Sequence, residues 1–204
     1  MHLLSLMNLK NDLRHYVKIY PSTFDERLWK DLNECLLWDL KVRHRFYSGW
    51  REEGFTVGDD PWLLELDRNN PKSLDLGQRI KDRWYEIISE YMFEFLHAEK
   101  MLWFNEWTGY TFPKFIHYEE GQSMPPHCDH IHDIFDGKCK GVPILTLITM
   151  ANDDYEGGEL VLFGDVPYEL KKGETIVFPS NFLFPHEIKK ITKGKRLSLI
   201  SWVH

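Results

Sequence analysis

The apolar positions of this chain change period near its middle. Phe24, Leu28, Leu32, Cys35 and Leu36 recur at three- and four-residue steps, one face of a helix. Thr23 and Glu26 ahead of them form a capping-box pattern that predicts its start. From about Val42 to Pro71 the period fails, and Gly49, Gly54, Gly58, Pro61 and Pro71 punctuate a long predicted loop. Ser73 is the predicted cap of a second helix running to about Lys100, with Leu76, Ile80, Trp84, Ile87, Ile88, Tyr91 and Phe95 on one wide apolar stripe. After Trp103 short apolar runs alternate with Gly, Pro, Asn and Asp. Strands are expected at Pro113–Tyr118, Ile144–Met150, Glu159–Phe163, Glu174–Phe178 and Leu197–Trp202. The expectation is a mainly β protein, a sandwich or jelly roll, with two helices buttressing one outer face.

The chain has 204 residues, the size of one domain. Its expected division is a helical front with loops over about 1–103 and a β core over about 104–204. Hydrophobic residues make up 43%, enough for a packed core. A formal charge of −7 argues against a general nucleic-acid binder, because phosphate contacts need a basic field. Cys35, Cys128 and Cys139 are an odd number without framework spacing and read as reduced thiols. The apolar N-terminal stretch is short and lacks a basic lead, and no run approaches a membrane span. Together these point to a cytoplasmic protein without a membrane partner; oligomeric state is not legible.

The chemistry concentrates in two segments. In the first, Tyr118-Glu-Glu-Gly121-Gln-Ser-Met-Pro-Pro-His127-Cys-Asp129, a His and a carboxylate two residues apart on one extended strand would face the same side. With a second His they would make the two-His, one-carboxylate face of non-haem Fe(II) oxygenases. His-x-Asp alone is weak evidence in a chain with ten histidines. The second segment adds Phe184-Pro-His186 and, ten residues on, Arg196 at the head of a strand whose Arg196, Ser198 and Ile200 share a face. An Arg on a core-facing strand is costly unless it meets an anion, and its fork matches a carboxylate. An internal Asp or Glu is the alternative partner. His130, His132 and Asp133 form a competing metal pattern, read as loop residues near the pocket mouth.

From Lys114 to Trp202 the chain resembles the Fe(II)/2-oxoglutarate-dependent dioxygenases, and within them the prolyl 4-hydroxylase-like branch. The resemblance is carried by Tyr118-x-x-Gly121 before His127-x-Asp129, by Tyr155-Glu-Gly157-Gly158-Glu-Leu, by Gly173…Phe178-Pro…His186, and by Lys-Gly-Lys-Arg196-x-Ser198…Trp202. It implies a double-stranded β-helix (jelly roll) core. His127, Asp129 and His186 match the metal ligands, which are also the catalytic centre. Arg196 matches the residue pairing the distal carboxylate of 2-oxoglutarate, with Tyr118 and Ser198 as further cosubstrate contacts. Trp202 matches an aromatic residue near the metal in protein hydroxylases and is the expected substrate contact. The implied cofactors are Fe(II), 2-oxoglutarate and O2, with ascorbate as an accessory reductant. The implied reaction couples decarboxylation of 2-oxoglutarate to succinate and CO2 with hydroxylation of a C–H bond, first of all a prolyl side chain in a protein or peptide.

Three alternatives stay open: a small-molecule (free amino acid) hydroxylase, an AlkB-like nucleic-acid demethylase, and a non-catalytic metal-binding jelly roll. The AlkB-like reading is weakened because Ile116 stands where that group has Asn and Trp202 where it has a second Arg. One departure touches the favoured branch. Met150 falls where some relatives have a donating tyrosine, so Thr146, Tyr118 or Ser198 would have to compensate. The stretches Phe46–Asn70, with Trp50, Phe55 and Trp62, and His130–Lys140 are the expected substrate lids.

Overall fold

A computed structural model describes residues 12–36, 61–100, 107–129 and 143–204. His130, His132, Asp133, Cys139, Trp50 and Phe55, with residues 46–60 of the first expected lid and the whole of the second, lie outside the described residues. The elements in chain order are β1 (Lys18–Tyr20), α1 (Glu26–Leu36), β2 (Trp62–Glu65), α2 (Pro71–Ser89), β3 (Lys114–Tyr118), β4 (Met124–His127), β5 (Leu145–Met150), β6 (Glu156–Gly157), β7 (Leu160–Leu162), β8 (Val166–Tyr168), β9 (Thr175–Pro179), β10 (His186–Ile188), β11 (Ile191–Lys193) and β12 (Arg196–Val203). They form a jelly roll. A six-stranded antiparallel sheet, in the order β1-β9-β5-β12-β3-β2, faces a four-stranded sheet, β4-β10-β7-β8. The prolines of the smaller sheet, Pro125, Pro126 and Pro167, sit on its two edge strands, where a missing N–H breaks no central ladder.

Strand alternation sorts the larger sheet into two cores. Phe115, Leu145, Leu147, Val177, Leu199 and Val203 face outward and pack against Leu28 and Leu32 of α1 and Leu76, Ile80, Trp84, Ile87 and Ile88 of α2. Ile116, Tyr118, Ile148, Met150, Ile176, Phe178, Ile200 and Trp202 face inward toward Met124, Leu160, Leu162 and Ile188 of the smaller sheet. Each fully buried aliphatic side chain contributes about 1.5–3 kcal/mol, so both faces are strongly held. A buried polar chain sets where α2 lies on the sheet. The Trp84 indole N–H donates to Thr149 at 2.9 Å, and hydroxyl contacts of 2.6 Å run on from Thr149 to Thr175 and from Thr175 to Thr23.

That chain explains the first departure from expectation. Thr23 does not cap α1, because its hydroxyl is engaged with Thr175. Asp25 caps it instead, accepting from the Leu28 N–H at 2.7 Å. Ser73 likewise lies inside α2, buried beside Cys35 with the two heavy atoms 3.9 Å apart. Asn70 is the cap, accepting from the Lys72 N–H at 3.0 Å, with Pro71 in the first turn, where its missing N–H costs nothing. Regular α2 ends at Ser89 rather than near Lys100. A π turn over Glu90–Phe95 follows, closed by Leu96 N–H to Tyr91 O at 3.0 Å, and then a 3-10 turn over Ala98–Lys100. The expected loop before Pro71 contains β2, which pairs with β3 through Trp62–His117 to Glu65–Lys114.

Candidate metal and cosubstrate site

The two sheets bring all seven residues marked in the sequence to one narrow internal cavity: Tyr118, His127, Asp129, His186, Arg196, Ser198 and Trp202. His127 ends β4 and His186 opens β10, and the two are direct partners across that antiparallel pair, their rings 4.3 Å apart. Asp129 lies just past β4, not on the same strand as His127, so alternation along a strand is not what aims it. It still faces both imidazoles, with Oδ1 3.6 Å from His127 Nε2 and Oδ2 3.8 Å from His186 Nε2. Among the described residues this is the one cluster able to hold a metal, its donor atoms within 4.8 Å of one another.

The ring orientations are built in. His127 Nδ1 is 2.9 Å from the Pro125 carbonyl, and His186 Nδ1 is 3.3 Å from the Phe184 carbonyl. A carbonyl only accepts, so each Nδ1 carries the proton and each Nε2 turns a lone pair toward the carboxylate. Burial, reinforced by the neighbouring His127, pushes the His186 pKa down to about 4, which keeps it neutral and able to donate electrons. Burial works against charge on Asp129. The two imidazoles, the Thr146 hydroxyl and the Trp202 indole outweigh it, and the carboxyl is held below its ordinary range. The Trp202 N–H thus faces Asp129, though it forms no completed hydrogen bond. Two imidazole nitrogens and one carboxylate oxygen suit a first-row metal with open positions, so the donor set fits Fe(II).

Arg196 shows the complementary lack. It is only 2% exposed, yet among the described residues it has no acidic partner. One guanidinium nitrogen donates to Ser198 Oγ at 3.2 Å, another to Met150 Sδ at 3.4 Å, and Nε has no partner. The Tyr118 ring lies 5.3 Å from the guanidinium carbon, and the Tyr118 hydroxyl donates to Met124 Sδ at 3.7 Å. Thioethers are weak acceptors, so this is a buried charge awaiting an anion. Among the described residues the alternative of an internal Asp or Glu partner finds no such residue. The fit therefore extends to a dicarboxylate cosubstrate. Met150 sits against the guanidinium, as its strand position implied. Thr146, considered above as a compensating donor, is committed elsewhere, to Asp129 Oδ2 at 2.6 Å.

Three contributors were not marked from the sequence as parts of the site: Thr146 as a partner of Asp129, Ser180, and Gly158. Gly158 has φ +69°, and a Cβ there would stand 2.3 Å from Ile191 Cδ1 and 3.1 Å from Arg196 Cδ. Gly157 ends β6 and Gly158 follows it, both at positive φ, and the second glycine also clears the path of Arg196. Gly158→Ala is expected to cost about 1–3 kcal/mol for a side chain at positive φ. It should also weaken 2-oxoglutarate binding, read by thermal melting and by titration; unchanged binding would separate Gly158 from Arg196.

Comparison with known proteins agrees with this geometry. Residues 113–204 match the family model described as the 2OG-Fe(II) oxygenase superfamily. A PKHD-type hydroxylase of Shewanella baltica (strain OS155) is 28% identical over 187 residues, covering 90% of this chain and 75% of the relative. The solved viral collagen prolyl hydroxylase of Paramecium Bursaria Chlorella virus-1, a 2OG complex, superposes with a TM-score of 0.62 at 14% identity over 97% of both chains. A prolyl hydroxylase of Trichoplax adhaerens, solved with a hypoxia inducible factor peptide fragment, gives 0.63 at 12% identity over 93% of this chain and 83% of that one. At those identities the structural likenesses speak for the fold.

Proposed function

Because this chain belongs to the 2OG-Fe(II) oxygenases, on their prolyl 4-hydroxylase-like branch, and is thus an oxidoreductase using Fe(II), 2-oxoglutarate and O2, we propose that it hydroxylates a prolyl side chain in a protein or peptide. The observation that carries the site assignment is the buried Arg196, without an acidic partner among the described residues, in the same cavity as His127, Asp129 and His186. In this reading those three residues hold Fe(II), and Arg196 with Ser198 holds the distal carboxylate of 2-oxoglutarate. When bound, metal and cosubstrate supply the oxidising chemistry, with release of succinate and CO2.

The chain's own work is orientation and exclusion. Backbone carbonyls hold both imidazoles in the tautomer that offers Nε2. Ile116, Ile148, Ile188 and Ile200 wall the cavity with apolar surface and keep water from the reacting centre. The Tyr118 ring packs beside the guanidinium, 5.3 Å from its carbon. Trp202 lines the same cavity as Asp129 and is the proposed substrate contact. A peptide substrate is supported by the likeness to the viral collagen prolyl hydroxylase and by the peptide bound to the Trichoplax adhaerens enzyme. No helix of the described residues is long and apolar enough to cross a membrane.

The test is direct. Metal-free protein given Fe(II) and 2-oxoglutarate without oxygen should develop a visible charge-transfer band. On admission of air it should form succinate, faster with a proline-rich peptide pool. A band with turnover that peptides do not stimulate would refute the peptide reading and leave the enzyme class. No band and no succinate would refute the site assignment.

A further inference from the structure

Asp129 differs from the two histidines in how it is held. His127 and His186 are fixed by strand pairing and by backbone carbonyls. Asp129 follows the last residue of β4 and has no ladder of its own to aim it. Its orientation comes from the opposite sheet. Thr146, on the central strand β5 and fully buried, donates its hydroxyl proton to Asp129 Oδ2 at 2.6 Å. The Ser180 hydroxyl, just past β9, lies 2.7 Å from the Thr146 hydroxyl oxygen. Thr146 has one proton, and a carboxylate can only accept, so that proton is spent on Asp129. Ser180 is therefore the donor in the second bond. The result is a one-way chain, Ser180 to Thr146 to Asp129, and accepting a bond strengthens the one Thr146 gives.

We propose that Ser180 and Thr146 are positioning residues for the metal-binding carboxylate of Asp129, a relay from the large sheet that sets its orientation and so the affinity and ligand field of the metal. The inference rests on reading His127, Asp129 and His186 as the metal ligands. Partners that orient ligating groups in this way typically contribute about 10–100-fold in metal affinity. Thr146→Val keeps the shape of the side chain and removes the donor, whereas Thr146→Ser keeps the donor.

The experiment is anaerobic titration of metal-free protein with Fe(II) alone, with the visible spectrum of Co(II) added alone as a second readout. Thr146→Val is expected to bind Fe(II) about 10–100-fold more weakly and to shift the Co(II) bands. Thr146→Ser should return both toward the wild type. Ser180→Ala should weaken binding less than Thr146→Val, because Thr146 still donates. A purely structural role would lower the melting temperature of metal-free Thr146→Val without moving metal affinity or the Co(II) bands, and that result overturns the proposal. If Thr146→Val does not fold, Ser180→Ala decides, and wild-type affinity there overturns the relay. His186→Ala is the control. If it loses metal while the relay variants do not, the relay is wrong and the triad stands; if it binds as the wild type, the triad itself is wrong.

Discussion

Arg196→Ala is expected to bind 2-oxoglutarate about thirtyfold to several thousandfold more weakly than the wild type, the equivalent of about 2–5 kcal/mol for truncating one side of a buried, hydrogen-bonded charge pair. Metal affinity should stay close to the wild-type value, because Arg196 touches Ser198, Met150 and Tyr118 and none of the proposed ligands. Calorimetry on Mn(II)-loaded protein separates the two quantities. A second measurement isolates the charge from the shape. Arg196→Met keeps most of the stem, and in cosubstrate-free protein it removes a buried cation whose partners among the described residues are a hydroxyl, a thioether and a ring. Its melting temperature should match or exceed that of the wild type, since an uncompensated buried charge is a cost to the folded state. Loss of 2-oxoglutarate binding with retained or raised stability is the signature of a residue kept for its ligand. Equal affinity for 2-oxoglutarate, or a large drop in stability, would mean that Arg196 serves the core instead.

The inner face of the large sheet was legible because strand alternation is a local rule. Arg196, Ser198 and Ile200 were placed on one side from β12 alone, and the same alternation puts Thr146, Ile148 and Met150 on one side of β5. The structure sets these rows against each other, with Ser198 opposite Met150, Ile200 opposite Ile148 and Trp202 opposite Thr146. What escaped depends on partners distant in the chain. Thr23 satisfies a capping-box pattern, but tertiary contact with Thr175 claims its hydroxyl and Asp25 takes over. Asn70-Pro71 was the better cap signal for α2, and Ser73 drew the boundary inward because it sits two residues inside the helix. β2 was missed because four residues, Trp-Leu-Leu-Glu, give too short a run to show a period and gain strand character only by pairing with β3. In the site, the family motif pointed to the metal-binding types, while Ser180 and Gly158 act on other residues rather than on a ligand. Gly158 could have been suspected from the Gly-Gly pair, since glycine is used where backbone must approach another group closely. Nothing local to Ser180 distinguishes it from any other serine after a strand.

His186→Ala is expected to fold and to lose high-affinity Fe(II) binding, by more than the ~10–100-fold typical of an outer partner, because it deletes one of three proposed donors. Its effect on the metal-free protein can be predicted from the position of the ring. His186 is 4% exposed, and its pKa is driven down to about 4 from an ordinary 6.5, chiefly by burial. Between those values the unfolded chain takes up a proton at this position that the folded chain refuses. The contribution of His186 to stability is therefore fully present above pH 6.5 and is lost as the pH falls toward about 4. The wild-type metal-free protein should lose melting temperature across that window, and His186→Ala should lose less of it, its curve flattened by the removal of one titrating group. At neutral pH the variant should melt a few degrees lower, the cost of a small cavity between the sheets. Metal supplied to the wild type should raise its melting temperature, because only the folded chain presents the three donors together, and the same addition should leave His186→Ala unmoved. A variant that still gained stability from Fe(II), or whose acid profile matched the wild type, would show that His186 neither binds the metal nor carries the buried neutral imidazole on which the site depends.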